Sequence, residues 1–351
     1  LVLDTEIPAE FSRFITPAFF SLALSIPVII FTSRRSESKF LKALALIPYL
    51  WIGIALLIFT ILFFGDIARL FLSPQNETQF ARATAVLSLI VGFFGALYGI
   101  PNALNPRVKK IAITLKKLPA VFDGFRIVQL TDVHVGSLLK RGHLQKIVDQ
   151  VNTLKPDLIV ITGDLLDGEV HRIVQELTPL KDLSAPHGVY YVTGNHEHFY
   201  DVENWIPELR KLNLKPLRSE NVRIEKNGAH FILAGVDDVV AGRFESAHPL
   251  DLKKAFNGVT EKDCVIFLCH HPKVFVQASK MNVALQLSGH THGGQIIPFG
   301  LISRLDSPFI SGLYRRGEAQ VYVSQGTGFW GPPMRVGTYA EVTDITLKSS
   351  S

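Results

Sequence analysis

The sequence predicts two parts, an α-helical membrane segment over residues 1–105 and an α/β domain over residues 106–351. The first part contains three long, uncharged apolar runs. In the second part, short β-branched runs alternate with amphipathic stretches, a pattern that is typical of α/β domains. Residues of the kinds that bind metal ions follow five of these runs. Hydrophobic residues make up 47% of the chain and charged residues 19%, which excludes a disordered or collagen-like protein.

The three apolar runs lie at about residues 15–31, 43–65 and 83–100. Each is close to the roughly 20 residues that cross a bilayer. Because three such runs in succession without a charge are rare in soluble domains, we expect three transmembrane helices rather than a buried helical hairpin. No charged residue or histidine stands inside a run, so the sequence offers no proton or transport pathway. We expect the helices to act as an anchor.

Basic residues predict the orientation of these helices. They lie between the first and second runs and after the third run: Arg34, Arg35, Lys39, Lys42, Arg107, Lys109, Lys110, Lys116 and Lys117. Since positively charged loops stay on the cytoplasmic side, we expect the α/β domain to face the cytoplasm. The same asymmetry accounts for the net charge of +5. No dense Arg/Lys stretch with interleaved aromatic residues occurs, and we therefore expect no nucleic-acid partner.

Five apolar runs of the second part are predicted strands that deliver metal-binding residue types. The runs cover residues 126–130, 158–161, 189–192, 264–269 and 284–287. The residues that follow them are Asp132 and His134, Asp164, Asn195 with His196 and Glu197, His270, and His290 and His292. In open α/β sheets, ligands bind outside the carboxyl ends of the strands. Five such loops from one sheet would therefore converge on a single site.

The residue types in these loops indicate which ions they suit. Asp132 and His134 are two residues apart, as are His290 and His292, and this spacing keeps both side chains of a pair on one face of an extended backbone. Imidazole, carboxylate and amide ligands suit Mn, Fe or Zn rather than calcium. Two such ions would leave a positive surplus that favours an anionic substrate. They can also lower the pKa of a shared water and hold a phosphoryl group for in-line attack.

The pattern DxH, GD, GNH with an acidic residue, H and GHxH occurs complete and in order, and it resembles the calcineurin-like metallophosphoesterase superfamily over roughly residues 126–347. The resemblance implies a four-layer α/β/β/α sandwich and two divalent ions, Mn first, with Fe or Zn as alternatives. The implied ligands of one ion are Asp132, His134, Asp164 and His292. Asp164 is implied to bridge to the second ion, whose other ligands are Asn195, His270 and His290.

The same resemblance implies roles for two further residues. His196 would be the acid that protonates the leaving oxygen or stabilises its developing charge without binding metal, and Glu197 would orient its ring. From its position in the loop after Asp164, Asp167 is expected either to support the metal ligands or to cap a helix. The GxGxxG pattern that ends at Gly331 runs into two prolines and is no dinucleotide motif, so this segment is expected to be either a substrate-side loop, with Trp330 and Arg335 bordering the metal site, or a purely structural turn.

Details around the last motif narrow the resemblance. The stretch from Ser288 to Gln295, SGHTHGGQ, and the Gly-Pro-Pro at residue 331 look like the bacterial YkuE-type membrane-associated phosphoesterases. That branch includes enzymes that cleave the pyrophosphate of UDP-2,3-diacylglucosamine. We thus expect a phosphodiesterase or pyrophosphatase of the bacterial inner membrane that acts on a lipid-linked phosphoester. A phosphomonoesterase or nucleotide phosphodiesterase with an unrelated anchor, and a catalytically silent scaffold or sensor, remain open alternatives.

The loop over residues 293–314 is rich in apolar residues and follows His292 directly. It carries few acids and has basic residues nearby. Such a loop is expected either to dip into the membrane surface or to pack on the domain core.

Overall fold

The computed structural model describes residue 5 and residues 9–35, 38–72, 75–244 and 248–350. The chain forms two compact units. The first comprises Leu1–Leu104 together with Ile296–Pro298 and Trp330–Gly337, and the second comprises Asn105–Gln295, Phe299–Phe329 and Thr338–Ser351. The boundary predicted at residue 105 lies next to the observed one, but two short segments from later in the chain join the helical unit.

Within the described residues, the helical unit contains four helices: α1 (Ala9–Arg35), α2 (Lys39–Leu44), α3 (Leu46–Leu72) and α4 (Glu77–Leu104). Of these, α1, α3 and α4 are long and apolar enough to cross a membrane. Helices α1 and α4 contain the first and third predicted runs and extend beyond them at both ends, whereas α3 begins three residues after the start of the second run and extends beyond its end. The side chains of Arg34, Arg35, Lys39 and Lys42, which were used to predict orientation, lie outside the described part of the chain.

The two added segments of this unit pack on α3 and α4. Ile296 and Met334 form a buried apolar cluster with Leu57 of α3 and Ala96 of α4. The main-chain N–H of Arg335 donates to the carbonyl oxygen of Gly99 at 2.9 Å. Small residues on the two helices leave space for these contacts. The apolar helices therefore bind other parts of the same chain on one side.

The second unit contains two six-stranded sheets. The first has the order β1-β12-β2-β3-β4-β5 and the second has the order β10-β11-β9-β8-β7-β6. The strands are β1 (Arg107–Leu115), β2 (Arg126–Leu130), β3 (Leu158–Thr162), β4 (Val189–Val192), β5 (Leu214–Pro216), β6 (Glu220–Lys226), β7 (Ala229–Gly235), β8 (Val265–Leu268), β9 (Leu285–Ser288), β10 (Gly312–Arg316), β11 (Ala319–Val323) and β12 (Glu341–Ser349). Within each sheet, the strands that lead to ligand-type residues pair in parallel.

Short helices connect these strands: α5 (Arg141–Thr153), α6 (Val170–Ile173), α7 (Asn195–Phe199), α8 (Val202–Lys211), α9 (Leu252–Ala255), α10 (Phe275–Ala278) and α11 (Phe299–Ser303). One apolar core lies between the first sheet and α5 and α8. A second core joins the facing sides of the two sheets, and a third covers the other side of the second sheet beneath α9 and α10. These three cores separate four layers, which confirms the predicted α/β/β/α sandwich.

The expectation that one sheet supplies all five ligand loops is wrong. The predicted strands form where expected, but β2, β3 and β4 belong to the first sheet, whereas β8 and β9 belong to the second. Apart from Arg126 at the start of β2, these strands are buried along their whole length, so their sequences are mostly apolar in either sheet. The loops nevertheless meet, because the carboxyl ends of both groups of parallel strands lie at the same end of the sandwich.

Candidate metal centre

The loops after β2 and β3 run side by side. The N–H of Asp132 donates to the carbonyl oxygen of Gly163 at 3.0 Å, and the N–H of His134 donates to that of Asp164 at 3.1 Å.

Five of the predicted ligands have left-handed backbone, with φ between 50° and 73°: Asp132, His134, Asp164, His290 and His292. For residues other than glycine this conformation is strained, and such strain is concentrated at functional sites.

One group of ligand atoms combines Asp132, His134 and His292. The two imidazole Nε2 atoms lie 3.1 Å apart, and the His292 Nε2 lies 3.3 Å from Asp132 Oδ1. All three side chains are buried or nearly so. The Asp132 carboxylate also accepts the Thr131 hydroxyl and the N–H of His290, which fix its direction.

A second group combines Asp164, His270 and His290. The Nε2 of His270 lies 3.3 Å from Asp164 Oδ2 and 3.3 Å from His290 Nδ1. The amide oxygen of Asn195 lies 3.0 Å from the same Nδ1. Asp164 also lies near the first group, with its Oδ2 3.9 Å from His134 Nε2.

These distances fit two metal ions. Two nitrogens that each lie about 2.1 Å from one ion are roughly 3.0 to 3.4 Å apart at octahedral to tetrahedral angles. The nitrogen pairs in the two groups, at 3.1 Å and 3.3 Å, match this separation. Unprotonated imidazole nitrogens cannot hydrogen-bond to each other, so a cation is the natural occupant of the space between them.

Hydrogen bonds at the far side of the rings leave the Nε2 atoms of two histidines free for metal. The Nδ1 of His270 bonds to the carbonyl oxygen of Thr162 at 2.7 Å, and the Nδ1 of His134 bonds to Asp167 Oδ1 at 3.2 Å. A ring that donates from Nδ1 presents the lone pair of Nε2. The two rings are therefore fixed in the tautomer that metal binding requires.

His196 lies beside the two groups, and it forms a further set of ligand-type side chains with His134 and Asp164. Its Nδ1 also bonds to Asp167 Oδ1, and its Nε2 lies 3.9 Å from Asp164 Oδ2. Burial lowers the pKa of His196, but the negative charges of Asp164 and Asp167 outweigh this and raise it to about 9. These two carboxylates therefore favour the protonated form of the ring, from which it can donate a proton.

Comparisons with known proteins agree with this geometry. The family model of the calcineurin-like phosphoesterases matches residues 125–294. A transmembrane protein with metallophosphoesterase domain from Danio rerio is 35% identical to this chain over 98% of the chain and 82% of its own length.

The chain belongs to the calcineurin-like metallophosphoesterases. A Helicobacter pylori metallophosphoesterase is 37% identical over 74% of this chain and 70% of its own length. The Bacillus subtilis metallophosphoesterase YkuE is 31% identical over 74% of this chain and 96% of its own length. The predictions of family, fold and a metal-dependent phosphoester hydrolase are thus confirmed.

In this metallophosphoesterase, the carboxylate that contacts the His196 ring is Asp167 rather than Glu197. Glu197 is completely buried and accepts main-chain N–H groups from both neighbouring loops, at 3.0 Å from Asp164 and 2.7 Å from Gly194. It also accepts from the N–H groups of the two residues after Asp164. Its oxygens are therefore committed to holding the backbone of the ligand loops. Burial and the charge of Asp164 raise the pKa of Glu197 to about 7.

The candidate substrate residues lie in the helical unit. The Trp330 side chain is half exposed, at 51%, whereas Arg335 is completely buried and its main chain is bonded to α4. One further contact near the ligands could not be predicted from sequence spacing. Asp306 Oδ2 lies 3.2 Å from His271 Nε2, and the His271 ring packs against that of His290 with their centroids 4.1 Å apart.

Proposed function

We propose that this metallophosphoesterase is anchored in a membrane and uses two divalent metal ions to hydrolyse a phosphodiester or pyrophosphate bond of a lipid-linked substrate. The observation that carries the proposal is the pair of adjacent ligand groups with Asp164 close to both. The three apolar helices of the same chain support the membrane part.

The ligand distances support a definite assignment of residues to ions. We assign Asp132, His134, Asp164 and His292 to one ion. We assign Asn195, His270 and His290 to the other, with Asp164 shared between the two. Mixed imidazole and oxygen ligands suit manganese, with iron or zinc as alternatives. When bound, two such ions would lower the pKa of a water molecule and neutralise charge on the phosphoryl oxygens.

The protein's own groups would supply the proton and the alignment. His196 lies beside the shared carboxylate and bonds to Asp167, both of which raise its pKa, so it is the group that can protonate the leaving oxygen. Asp167 keeps that imidazole charged and in place, and the same oxygen orients the ligand His134. Glu197 holds the loop that carries Asp164. The three carboxylates therefore have distinct parts: Asp164 binds metal, Asp167 orients rings and Glu197 fixes backbone.

The membrane anchor supports a substrate that is itself held in a membrane, since a shared surface raises the local concentration of both partners. UDP-2,3-diacylglucosamine is the example we propose, hydrolysed at the cytoplasmic face of a bacterial inner membrane. Trp330 is the proposed substrate contact. Because Arg335 is buried, we give it an indirect part, in holding the Trp330 loop on α4.

Hydrolysis by the detergent-solubilised chain with manganese tests this proposal. UDP-2,3-diacylglucosamine would be compared with a simple aryl phosphomonoester and an aryl phosphodiester, with Asp164→Asn as the blank. We expect a strong preference for the lipid nucleotide. Turnover of the simple esters alone would contradict the lipid-linked substrate and favour a phosphomonoesterase or nucleotide phosphodiesterase. Absence of metal-dependent turnover on every substrate would favour a scaffold or sensor.

A further inference from the structure

Residues 299–305, which we call the apolar loop, expose large hydrophobic side chains one after another. Phe299 is 46% exposed, Leu301 62%, Ile302 55% and Leu305 88%. Helix α11 lies within this loop and has no buried residue. Four large apolar side chains within seven residues form the kind of contiguous patch that soluble surfaces rarely leave uncovered. Packing on the domain core, one of the two alternatives for this region, therefore does not account for residues 299–305.

The residue that precedes this loop in the chain belongs to the helical unit. Pro298, the residue before Phe299, belongs to the segment of the helical unit in which Ile296 packs with Leu57 and Ala96. Leu57 and Ala96 lie in α3 and α4, the helices that are apolar enough to cross a membrane. Consecutive Cα atoms are only about 3.8 Å apart, so the apolar loop begins next to a segment seated on those helices.

The charge of the loop also fits a lipid surface. Between residues 296 and 305 the one charged residue is Arg304, and its side chain is exposed. A short element with apolar side chains and a basic residue is suited to the boundary between acyl chains and anionic headgroups.

Both sides of the apolar loop are tied to the metal centre. Asp306 follows Leu305 and contacts His271, whose ring packs on the proposed ligand His290. Before the loop, three residues separate His292 from Ile296. After it, the carbonyl oxygen of Ile310 accepts the hydroxyl of Thr291, which stands between the two histidine ligands. A loop placed in lipid would thus hold the ligand loop close to the membrane surface.

We infer that the apolar loop inserts into the lipid surface as a second membrane contact, separate from the spanning helices, and presents lipid-borne phosphoesters to the metal centre. The inference of insertion rests on the exposed apolar side chains of the loop, on its chain connection to the helical unit and on the charge of Arg304. The presentation of substrate rests on the proposed function.

Fluorescence of the full chain in vesicles of phosphatidylcholine and phosphatidylglycerol tests the insertion. A polarity-sensitive dye would be attached to Leu305→Cys, and a matched control would carry it on Glu225→Cys, an exposed position of β6. The native Cys264 and Cys269 are buried, and burial raises the pKa of the Cys264 thiol to about 12, so both should escape labelling.

We expect spin-labelled lipid to quench the dye at residue 305 and not at residue 225, and aqueous iodide to do the reverse. Quenching of residue 305 by iodide alone would overturn the inference. Protection from both quenchers would also overturn it, in favour of a second protein copy on the loop.

The double variant Leu301→Asp/Leu305→Asp tests the presentation of substrate. Both side chains are exposed, so the fold should tolerate the change. We expect unchanged hydrolysis of a soluble aryl phosphodiester and a loss of roughly tenfold or more on a vesicle-borne phosphoester, since positioning is what the loop supplies. Equal rates on both substrates would refute presentation. If no lipid phosphoester is cleaved by the unaltered chain, the proposed substrate fails while the quenching result still decides insertion.

Discussion

Both compact units contain closely packed glycines, but the atoms that surround these glycines differ between the units. In the helical unit, a Cβ on Gly99 would come within 2.9 Å of Val336 Cγ2 and 3.1 Å of Met334 Cβ. In the α/β unit, a Cβ on Gly194 would come within 2.2 Å of the carboxylate oxygen of Asp164. The first glycine makes room for the close packing of a neighbouring chain segment. The second makes room for a ligand whose position the chemistry requires.

This difference predicts how substitutions will affect each unit. Apolar contacts are non-directional, and a displaced side chain finds other neighbours at a modest cost. A metal ligand has a fixed distance and angle, so a small displacement removes its function. Substitutions of similar size should therefore affect stability in the helical unit and catalysis in the α/β unit.

Among substitutions of residues that do not themselves bind metal, Gly194→Ala should cause the largest loss of activity. The φ of Gly194 is −103°, so alanine fits the backbone and the effect comes from contact with Asp164 alone. We expect activity to fall by at least about 100-fold, as when a metal ligand loses its orientation. Gly142→Ala is the matched control, because nothing lies within 4 Å of its added Cβ. Equal activity of the two variants in a hydrolysis assay would break the comparison.

Asp167→Asn should lower activity by roughly 10- to 100-fold, because outer-sphere partners of metal-binding histidines contribute about this much. The substitution keeps the volume but removes the charge that His196 and His134 share. The rate should fall most at high pH, since the carboxylate helps raise the pKa of His196 to about 9. A pH–rate profile of unchanged shape would show that Asp167 does not keep His196 protonated.

Gly99→Ala should destabilise the helical unit by about 1 to 3 kcal/mol, the usual cost of overpacking. The main-chain nitrogen of Arg335 lies 3.3 Å from the added Cβ and cannot easily move away. Gly95→Ala on the same helix is the control, because its Cβ would meet the far end of the flexible Leu57 side chain. Thermal unfolding in detergent should show a lower midpoint for Gly99→Ala alone. A similar midpoint for both variants would mean that the Arg335 segment does not depend on close approach.

The smallest effect should be on the unfolding midpoint, from the charge of Glu203, which lies away from the metal centre. The Arg218 guanidinium, bonded to Glu203 at 2.9 Å, lowers the pKa of Glu203. A lowered pKa in the folded state contributes stability above the ordinary value of 4.5, and this contribution is lost as the pH falls through the lowered value. The unfolding midpoint should therefore fall at acidic pH more for the unaltered chain than for Glu203→Gln. Parallel pH profiles would contradict this.

Local patterns predicted the strands and the ligands because each motif lies within a few residues of a strand end. The predicted strand over residues 189–192 matches β4, and that over 126–130 matches β2. The division into two sheets was not visible in those runs, since a buried parallel strand has the same apolar pattern in either sheet. Pairing is decided by contacts between residues far apart in the sequence.

The carboxylate that contacts His196 also could not be predicted from the local sequence. Asp167 and Glu197 both follow a ligand closely, and the family resemblance implied Glu197 as the partner of His196. The structure gives that contact to Asp167, because Glu197 is used by four main-chain N–H groups. Likewise, nothing in the local sequence distinguishes Ile296 or Met334, which pack on the apolar helices, from ordinary core residues.

Metal content of the full chain tests the central claim, that two adjacent ligand groups share Asp164. The detergent-solubilised chain and Asp164→Asn would be loaded with manganese, freed of excess ion and measured by elemental analysis alongside protein concentration. We expect two ions per unaltered chain and at most one in the variant. A single ion in the unaltered chain, or two ions retained by Asp164→Asn, would contradict it.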